Sequence, residues 1–361
     1  MSSSPPHIGG IEVRSAELVS ELCRQGHDCM VITSRLPATL PAQETLNGAL
    51  VHRIEFRQAI ERKNLRAMLE VRENIQAAKL NFQPDAEVVF VSGPMVALQH
   101  MANSRNAVPT IASLQGALQD YLSPGGSVRK QLGACHAIIT VSQFLHRAVC
   151  GAMPELASKV VALPNSLPTP RCAPQPLPLD PPVILALGRL VHDKGFDLAL
   201  RAMSRLRDAG SNAVMVIAGD GPERQSLEAL AMELRLHDHV RFMGWVSPDR
   251  VPELINTASL LVVPSRWEEA FGLVSLQAAQ MGRPVVGSRM GATPEIVVHG
   301  ETGLLFENEN VPEFSHALGS LLSSPERMRT MGELAESRAA AEFGFDRYVE
   351  RYLQVFASLT R

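Results

Sequence analysis

A proline-rich stretch near the middle of the chain limits what this sequence can fold into. Residues 168–182 read PTPRCAPQPLPLDPP. Because proline fixes its φ angle and lacks a backbone N–H, neither a helix nor a central strand can run through this stretch. The chain has 361 residues, of which 45% are hydrophobic, so it is long enough for two domains. We predict one domain at 1–167, a linker at 168–182 and a second domain at 183–342.

Apolar runs typical of buried strands alternate with helical patterns on both sides of the linker. The predicted strands are 28–33, 50–56, 87–91, 109–114, 135–142 and 159–164 before it, and 183–187, 213–218, 239–243, 260–264 and 284–288 after it. Several of them end in glycine turns that lead into helices, which is typical of doubly wound α/β domains. The first helix, 11–24, follows Gly9 and Gly10 without a strand before it. The first strand of the N-terminal domain is therefore expected to be missing, either because the start was assigned too late or because the strand has been lost.

The end of the chain predicts one more helix, over 345–359, with apolar residues at three-to-four spacing. Two interpretations of this helix stay open. It is an ordinary core helix, or, as the family resemblance given below implies, it crosses back from 343 onwards to pack on the N-terminal domain.

Composition excludes several classes of function. The net charge is only −3, so nothing indicates a nucleic-acid partner. The five cysteines are odd in number and show no C-x-x-C spacing, which favours reduced thiols in a cytoplasmic protein. No run approaches the roughly 20 apolar residues of a membrane span, and the N-terminus does not resemble a signal peptide.

One predicted helix, 57–79, is basic and amphipathic. Its basic residues are Arg57, Arg62, Lys63, Arg66, Arg72 and Lys79. Such a helix could lie on anionic lipid, which would give the N-terminal domain a peripheral contact at the inner face of the membrane. The alternative, an ordinary solvated helix face, is the favoured one.

The richest stretch for chemistry is 264–295, which reads PSRWEEAFGLVSLQAAQMGRPVVGSRMGATPE. It passes from the end of a strand through a polar loop into a helix whose first turn is expected to carry 271–273. The unpaired N–H groups and the dipole of such a helix start favour phosphate ligands. Glu269 lies at this junction, and Gln277 follows two turns later, about 12 Å along the axis at 1.5 Å per residue. That span suits a nucleotide-sugar.

These residues resemble the family 4 retaining glycosyltransferases, whose mark is E-x7-E within E-G/A-F-G-L-x-x-x-E-A. Glu269 matches the first glutamate, but Gln277 stands at the second. A second match is Gly188–Gly195, GRLVHDKG, in the family pattern G-R-L-x-x-x-K-G. The resemblance covers nearly the whole chain and is strongest over 183–306. It implies the GT-B fold, in which two Rossmann-like doubly wound domains face each other across a cleft.

The resemblance also implies a function and a set of roles. The enzyme would move a hexosyl group from a UDP- or GDP-sugar to an acceptor hydroxyl in polysaccharide, lipopolysaccharide or glycolipid biosynthesis. The catalytic residues would be Arg189 and Lys194, which stabilise the departing diphosphate, and Glu269, which orients the sugar hydroxyls. The donor-binding residues would be Gly9, Gly10, Gln115, Gly219, Gly221, Val246, Phe271, Gly272, Leu273 and Gln277.

Three departures from the family pattern keep alternatives open. Besides the missing strand, Gln115 replaces a histidine that faces the donor sugar, and Gln277 replaces the ribose-binding glutamate. The amide of Gln277 keeps one acceptor oxygen, so we expect donor binding to weaken by roughly 1–2 kcal/mol. A non-catalytic nucleotide-sugar-binding relative and a sugar-nucleotide 2-epimerase are the alternatives.

No metal or cofactor is expected, because the donor is itself a substrate. The chain has no D-x-D sequence, which argues against the metal-dependent class of glycosyltransferases. The triplet His237-Asp238-His239 lies at the start of a strand and lacks a third ligand group, so we do not expect it to bind a metal.

Overall fold

A computed structural model of the chain describes residues 10–35, 39–55, 64–91, 108–116 and 127–359. Their contacts divide the chain into two compact units. The first contains Met1–Asn165 and Phe345–Arg361, and the second contains Ser166–Gly344. Within the described ranges, no helix combines the length and the apolar character that a membrane crossing requires.

The first unit contains two separate sheets among its described residues. Its elements are α1 (Gly10–Arg24), β1 (Met30–Ser34), β2 (Gln43–Leu46), β3 (Ala49–Ile54), α2 (Leu65–Phe82), β4 (Glu87–Val91), β5 (Thr110–Leu114), α3 (Ser127–Ala134), β6 (Ala137–Thr140), α4 (Gln143–Ala152) and β7 (Val160–Ala162). One sheet has the order β1-β3-β2, with β2 antiparallel to β3, and the other is β4-β5-β6-β7, all parallel. The prediction of a missing first strand concerns residues before α1, which lie outside the described ranges.

The antiparallel strand β2 is absent from our predicted strands. It joins β3 through Asn47 and Gly48, whose φ angles are +50° and +85°. Asn-Gly between two extended segments is the commonest signal for a two-residue hairpin turn. The sequence therefore contained the signal for this hairpin, although we did not predict β2.

The basic surface predicted for 57–79 is reduced in the structure. Helix α2 begins after Asn64, whose side chain accepts from the N–H of Ala67 at 3.1 Å. Lys79 is buried and its Nζ lies 2.6 Å from Glu87 Oε1, so its prediction as a solvent-facing cation is wrong. Burial and an ion pair hold this side chain in the unit's interior. Arg57, Arg62 and Lys63 lie outside the described residues.

The second unit is a single six-stranded parallel sheet with helices. Its elements are β8 (Val183–Leu187), α5 (Phe196–Asp208), β9 (Val214–Ala218), α6 (Arg224–Glu233), β10 (Val240–Gly244), α7 (Val251–Asn256), β11 (Leu260–Val263), α8 (Leu273–Gln280), β12 (Val285–Ser288), α9 (Thr293–Ile296), β13 (Gly303–Phe306), α10 (Val311–Leu322) and α11 (Pro325–Glu342). The strand order is β10-β9-β8-β11-β12-β13. The predicted doubly wound α/β class is confirmed. The order reverses between β8 and β11, and in such sheets ligands bind outside the carboxyl ends of the strands at this reversal.

The proline-rich stretch lies against the second unit rather than apart from it. Ser259 Oγ donates to the carbonyl oxygen of Pro178, and Asn256 Nδ2 donates to that of Ala173 at 3.0 Å. Leu177 and Leu179 pack on the core of this unit. These contacts satisfy backbone carbonyls in a stretch that forms no ladder of its own.

The last helix, α12 (Phe345–Leu359), packs on the first unit. Its buried residues Tyr348, Val349 and Tyr352 join a cluster that contains Leu18 of α1 and Ile111 of β5. Of the two interpretations left open by the sequence, the structure has the one in which this helix covers the first unit's core.

Candidate functional site

The loops that follow β8 and β11 meet at the carboxyl edge of the second sheet. The two strands are paired in parallel, with Leu260 opposite Ile184, so their carboxyl ends lie side by side. A Cβ atom at Gly195 would lie 2.0 Å from the carbonyl oxygen of Pro264. Only glycine permits this approach, and its φ of +66° requires glycine too. The structure therefore brings the predicted G-R-L-x-x-x-K-G loop directly against the glutamate loop.

Lys194 and Glu269 form the polar centre of this junction. Lys194 Nζ donates to Glu269 Oε1, and Ser265 Oγ donates to the same oxygen at 2.7 Å. Both bonds fall on Oε1, which leaves Oε2 as an acceptor for a ligand hydroxyl. Ser265 was missed by the sequence reasoning, although its place four residues before Glu269 in the same loop was a signal.

The charge state of Glu269 follows from these contacts. Burial alone would raise its pKa, but the charge and hydrogen bond of Lys194 and the hydroxyl of Ser265 outweigh burial and hold the pKa below its usual value of 4.5. Glu269 is therefore a carboxylate at neutral pH.

A third loop, after β12, supports the backbone of Glu269. The N–H of Ala292 donates to the carbonyl oxygen of Glu269 at 2.8 Å. A Cβ atom at Gly291 would lie 2.5 Å from Glu269 N, so this position requires glycine as well. Ser288 Oγ donates to the carbonyl oxygen of Ser265 at 2.6 Å. The Glu269 loop, which follows β11, is thus held in place by residues at the end of the adjacent strand β12.

A bidentate ion pair between Arg266 and Asp197 ties the β11 loop to the start of α5. Arg266 Nη1 and Nη2 lie 2.6 and 2.8 Å from Asp197 Oδ1 and Oδ2. Burial would raise the pKa of Asp197, but the hydrogen bonds and charge of Arg266 hold it below its usual value. The N–H of Arg266 also donates to the carbonyl oxygen of Asp193 at 2.8 Å. Sequence reasoning missed this pair, because nothing local links residues 69 apart.

The start of α8 offers free backbone donors. Gly272 precedes the helix with a φ of +98°, and the first helical residue is Leu273. The prediction that Phe271 and Gly272 belong to the first helical turn is therefore wrong, because the φ angle of Gly272 is not helical. Within the described part of the chain, no group accepts a hydrogen bond from the N–H of Phe271, Gly272 or Leu273. The Phe271 ring is buried and packs edge-on against Phe343, which anchors this turn.

Among the described residues, the side chains of Arg189 and Gln277 have no hydrogen-bond partner. Arg189 is exposed on the β8 loop, and no ion pair to it is present among the described residues. Gln277 is half-buried on α8, and its amide likewise has no partner within the described ranges. The structure brings Lys194 to Glu269 but gives Arg189 no contact with either. The contact of Arg189 and Gln277 with a ligand stays a prediction.

The glycines of the β9 loop have a packing reason for being glycine. A Cβ atom at Gly219 would lie 1.8 Å from the carbonyl oxygen of Gly188, and one at Gly221 would lie 2.4 Å from that of Leu190. The space beside both glycines is therefore occupied by the backbone of the neighbouring β8 loop. Their contact with a ligand stays a prediction. Val246, after β10, is half-buried against the core.

In the first unit, Gln115 follows the end of β5. It is buried, and its Nε2 donates to Ser113 Oγ at 2.7 Å. Its Oε1 is buried without a partner among the described residues. Gly10 is the first residue of α1, whereas Gly9 lies outside the described residues.

The described residues contain no group of three or more His, Cys, Asp or Glu side chains arranged to hold a metal ion. In the triplet that follows α6, His237 Nε2 lies 2.9 Å from Asp238 Oδ2, and both side chains are exposed.

Two family models match adjacent halves of the chain. The model described as Glycosyltransferase Family 4 matches residues 8–171, and the model described as Glycosyl transferases group 1 matches residues 173–338. The second match contains the junction of Lys194 and Glu269, and the first contains Gln115.

Two characterised relatives match different shares of this chain. A GDP-mannose-dependent alpha-(1-6)-phosphatidylinositol monomannoside mannosyltransferase of Mycolicibacterium smegmatis is 28% identical over 349 residues, 91% of this chain and 89% of that enzyme. The alpha-D-kanosaminyltransferase of Streptomyces kanamyceticus is 35% identical over 164 residues, 45% of this chain and 42% of that enzyme.

Solved structures share the fold. The sucrose-phosphate synthase from Thermosynechococcus elongatus superposes with a TM-score of 0.84 at 20% identity, covering 97% of this chain and 94% of that one. The Anabaena protein HepE in complex with UDP and glucose superposes with a TM-score of 0.78 at 18% identity, covering 99% and 98%.

Proposed function

Because this chain belongs to the family 4 glycosyltransferases with the GT-B fold, we propose that it is a retaining, metal-independent hexosyltransferase. The donor is a UDP- or GDP-sugar. The acceptor is a hydroxyl in the assembly of a polysaccharide, lipopolysaccharide or glycolipid, met in the cytoplasm or at the inner face of the membrane. The junction of Lys194 with Glu269 is the observation that carries this proposal.

Glu269 suits a sugar because it is a fixed carboxylate with one open oxygen. Lys194 and Ser265 hold Oε1, so Oε2 can accept from a donor-sugar hydroxyl. A carboxylate acceptor forms stronger hydrogen bonds than a neutral one. In this role Glu269 orients the sugar so that its anomeric carbon faces the acceptor.

The neighbouring donors suit a diphosphate leaving group. As the bond between the anomeric carbon and the diphosphate oxygen breaks, negative charge grows on that oxygen. Lys194 and Arg189 supply positive charge, and the free N–H groups of 271–273 supply preorganised donors, which stabilise charge that develops in the transition state. The acceptor oxygen forms the new bond to the anomeric carbon, and its hydroxyl proton passes to the departing diphosphate oxygen, so that the step balances without a separate base from the protein.

Similar proteins support two different bases, guanine and uracil, for the nucleotide of the donor. The mycobacterial relative is named for GDP-mannose, and the structural neighbour holds UDP and glucose. Gln277 on α8 would accept from one ribose hydroxyl, which both nucleotides carry. The base would lie beyond it, at the end of β10 by Val246.

A silent, non-catalytic relative is the second candidate, and Gln277 favours it. An amide in place of a carboxylate loses one acceptor position for the ribose. The same fold also serves sugar-nucleotide 2-epimerases, which the experiment below distinguishes.

The test is incubation of the purified protein with radiolabelled UDP- and GDP-hexoses, with and without a bacterial lipid and saccharide extract. Transfer of label to the extract supports the proposal, and a converted sugar on the same nucleotide supports epimerisation. Binding alone supports the silent relative. Binding is measurable directly, since the chain has two tryptophans and both, Trp245 and Trp267, are exposed just after β10 and β11. We expect their fluorescence to change on addition of nucleotide.

A further inference from the structure

Helix α11 lies along α8 and supports it beside both of its ends. Beyond the carboxyl end of α8, a Cβ atom at Gly332 would lie 2.1 Å from the carbonyl oxygen of Gly282, an approach that only glycine permits. Before the first residue of α8, the ring of Phe271 packs edge-on against that of Phe343, with centroids 5.7 Å apart and planes at 74°. Phe343 directly follows α11. One neighbouring helix therefore braces α8, whose start receives phosphate in the proposed function.

The ring of Phe343 is itself held by its neighbours. Phe343 is 7% exposed, and the guanidinium of Arg338 lies 5.9 Å from its ring centroid. Arg338 Nη2 donates to the carbonyl oxygen of Glu295 at 3.0 Å, which ties this guanidinium to α9. The Phe343 backbone is bonded on both sides, because its N–H donates to the carbonyl oxygen of Ala339 at 3.0 Å and Ser166 Oγ donates to its carbonyl oxygen. Phe343 thus presents a fixed ring to Phe271.

The turn at 271–273 depends on this packing for its orientation. Gly272 has a φ of +98° and no side chain, and of the three residues only Phe271 is buried. Their N–H groups have no acceptor within the described ranges. The Phe271 ring is therefore the anchor nearest to these donors. Preorganised donors bind an anion more tightly than mobile ones, because less conformational freedom is lost on binding.

We propose that Phe343 is a positioning residue for the donor diphosphate: its ring holds Phe271, and through it the N–H groups of Gly272 and Leu273, in the arrangement that donates to phosphate oxygens. This role rests on the proposed function for the identity of the anion as a diphosphate. Phe343 acts through Phe271 and touches no substrate. Ser166 is the first residue of the second unit and Gly344 its last, so the phosphate turn is supported from the segments where the chain enters and leaves this unit.

The binding test compares nucleoside diphosphates with nucleosides, which share the base and the ribose and differ in the phosphates. Calorimetric titrations use UDP, GDP, uridine and guanosine. We expect Phe343→Leu to weaken binding of the diphosphate that the wild type prefers by about fivefold, the size of an edge-on aromatic contact. Affinity for the matching nucleoside should stay within about twofold of wild type, because base and ribose do not contact the turn. A general loss of structure would weaken both ligands alike.

Phe314→Leu is the matched control. Phe314 stacks on Phe306 in the core of the same unit, with centroids 4.2 Å apart, and is fully buried. The same chemical change there should lower the melting temperature and leave the ratio of diphosphate to nucleoside affinity at the wild-type value.

Ser166→Ala is a second variant, which removes the hydrogen bond to the Phe343 carbonyl oxygen and leaves both rings in place. It should lower the same ratio by about twofold. Where Phe343→Leu does not fold, an unchanged ratio in Ser166→Ala overturns the positioning.

These titrations need no turnover, so they separate the positioning from the proposed function. If the ratio falls in Phe343→Leu but not in Phe314→Leu while the wild type transfers no hexose, the positioning stands and the proposed function falls. If Phe343→Leu keeps the wild-type ratio and transfers hexose, the positioning falls and the proposed function stands. A wild type that binds neither diphosphate more tightly than its nucleoside, or a ratio that falls equally in Phe314→Leu, also overturns the positioning.

Discussion

Replacing Lys194 by methionine removes one charge and little volume, and its consequences follow from the junction with Glu269. The side chains of Lys194 and Glu269 are 35% and 15% exposed, so the pair lies between a surface ion pair and a buried one. Exposed pairs contribute about 0–1 kcal/mol, and breaking a buried pair costs about 3–5 kcal/mol. For this junction we expect a loss of about 1–3 kcal/mol.

That loss is large enough to measure in the second unit. The unit spans Ser166–Gly344, which is 344 − 166 + 1 = 179 residues. In units of this size each kcal/mol shifts the melting temperature by about 2–4 °C, so Lys194→Met should lower it by roughly 2–12 °C. Turnover should fall by about 100-fold, because in the proposed function the cation also stabilises the departing diphosphate.

The pH dependence gives a second check on the same pair. The folded-state pKa of Glu269 is below 4.5, so the stability from this carboxylate is present above pH 4.5 and is lost as pH falls through its lowered pKa. The difference in melting temperature between wild type and Lys194→Met should therefore shrink as the pH is lowered from 7 to below 4.5.

Two further variants are compared with Lys194→Met by thermal unfolding and by initial rates. Glu269→Gln combined with Lys194→Met should recover part of the lost stability, since no charge is left buried without its partner. Lys130→Met is the control, because Lys130 is exposed and without an ion pair in the described ranges. A Lys194→Met variant with wild-type melting temperature at pH 7.5 and more than half of wild-type turnover would refute the reasoning.

Three other variants test the site around this pair. Gln277→Glu should tighten nucleotide-sugar binding by about 5- to 30-fold in a calorimetric titration, because it restores the second acceptor for the ribose; unchanged affinity would place the ribose elsewhere. Asp197→Asn breaks the bidentate pair to the β11 loop and should lower turnover about tenfold with a melting temperature lower by a few degrees; unchanged kinetics would mean that the loop holds Glu269 without it. Gly291→Ala places a Cβ 2.5 Å from Glu269 N and should lower turnover at least tenfold, whereas Gly300→Ala, with a φ of +87° but open space, should lower only the melting temperature; equal kinetics in these two would remove the steric argument.

The parts of the fold that depend on local pattern could be predicted from the sequence. Strands β4 and β8 and helix α12 begin and end at the predicted residues, because each is a strongly periodic or apolar run bounded by glycine, proline or polar residues. The junction of Glu269 with the Lys194 loop was also predictable in outline, since both loops follow strands that a doubly wound sheet brings to one edge.

What could not be predicted depends on contacts between distant residues. The pair of Arg266 with Asp197 requires knowing that β8 and β11 are neighbours, which single-sequence patterns do not give. The close approach of the β9-loop glycines to the backbone of the β8 loop is likewise a contact between distant residues, and the contact of these glycines with a ligand stays a prediction. The contact of Phe343 with Phe271 joins residues that only the packing of α11 along α8 brings together.

The central claim is that this site cleaves the bond between a hexose and a nucleoside diphosphate. Identifying the bond that breaks tests this claim most directly. Phosphorus NMR of a reaction with UDP- or GDP-hexose and the acceptor extract follows this bond. We predict that the donor signals give way to those of free nucleoside diphosphate, in step with transferred sugar. Formation of nucleoside monophosphate and sugar phosphate, or donor signals that persist unchanged with every hexose tried, would contradict the account.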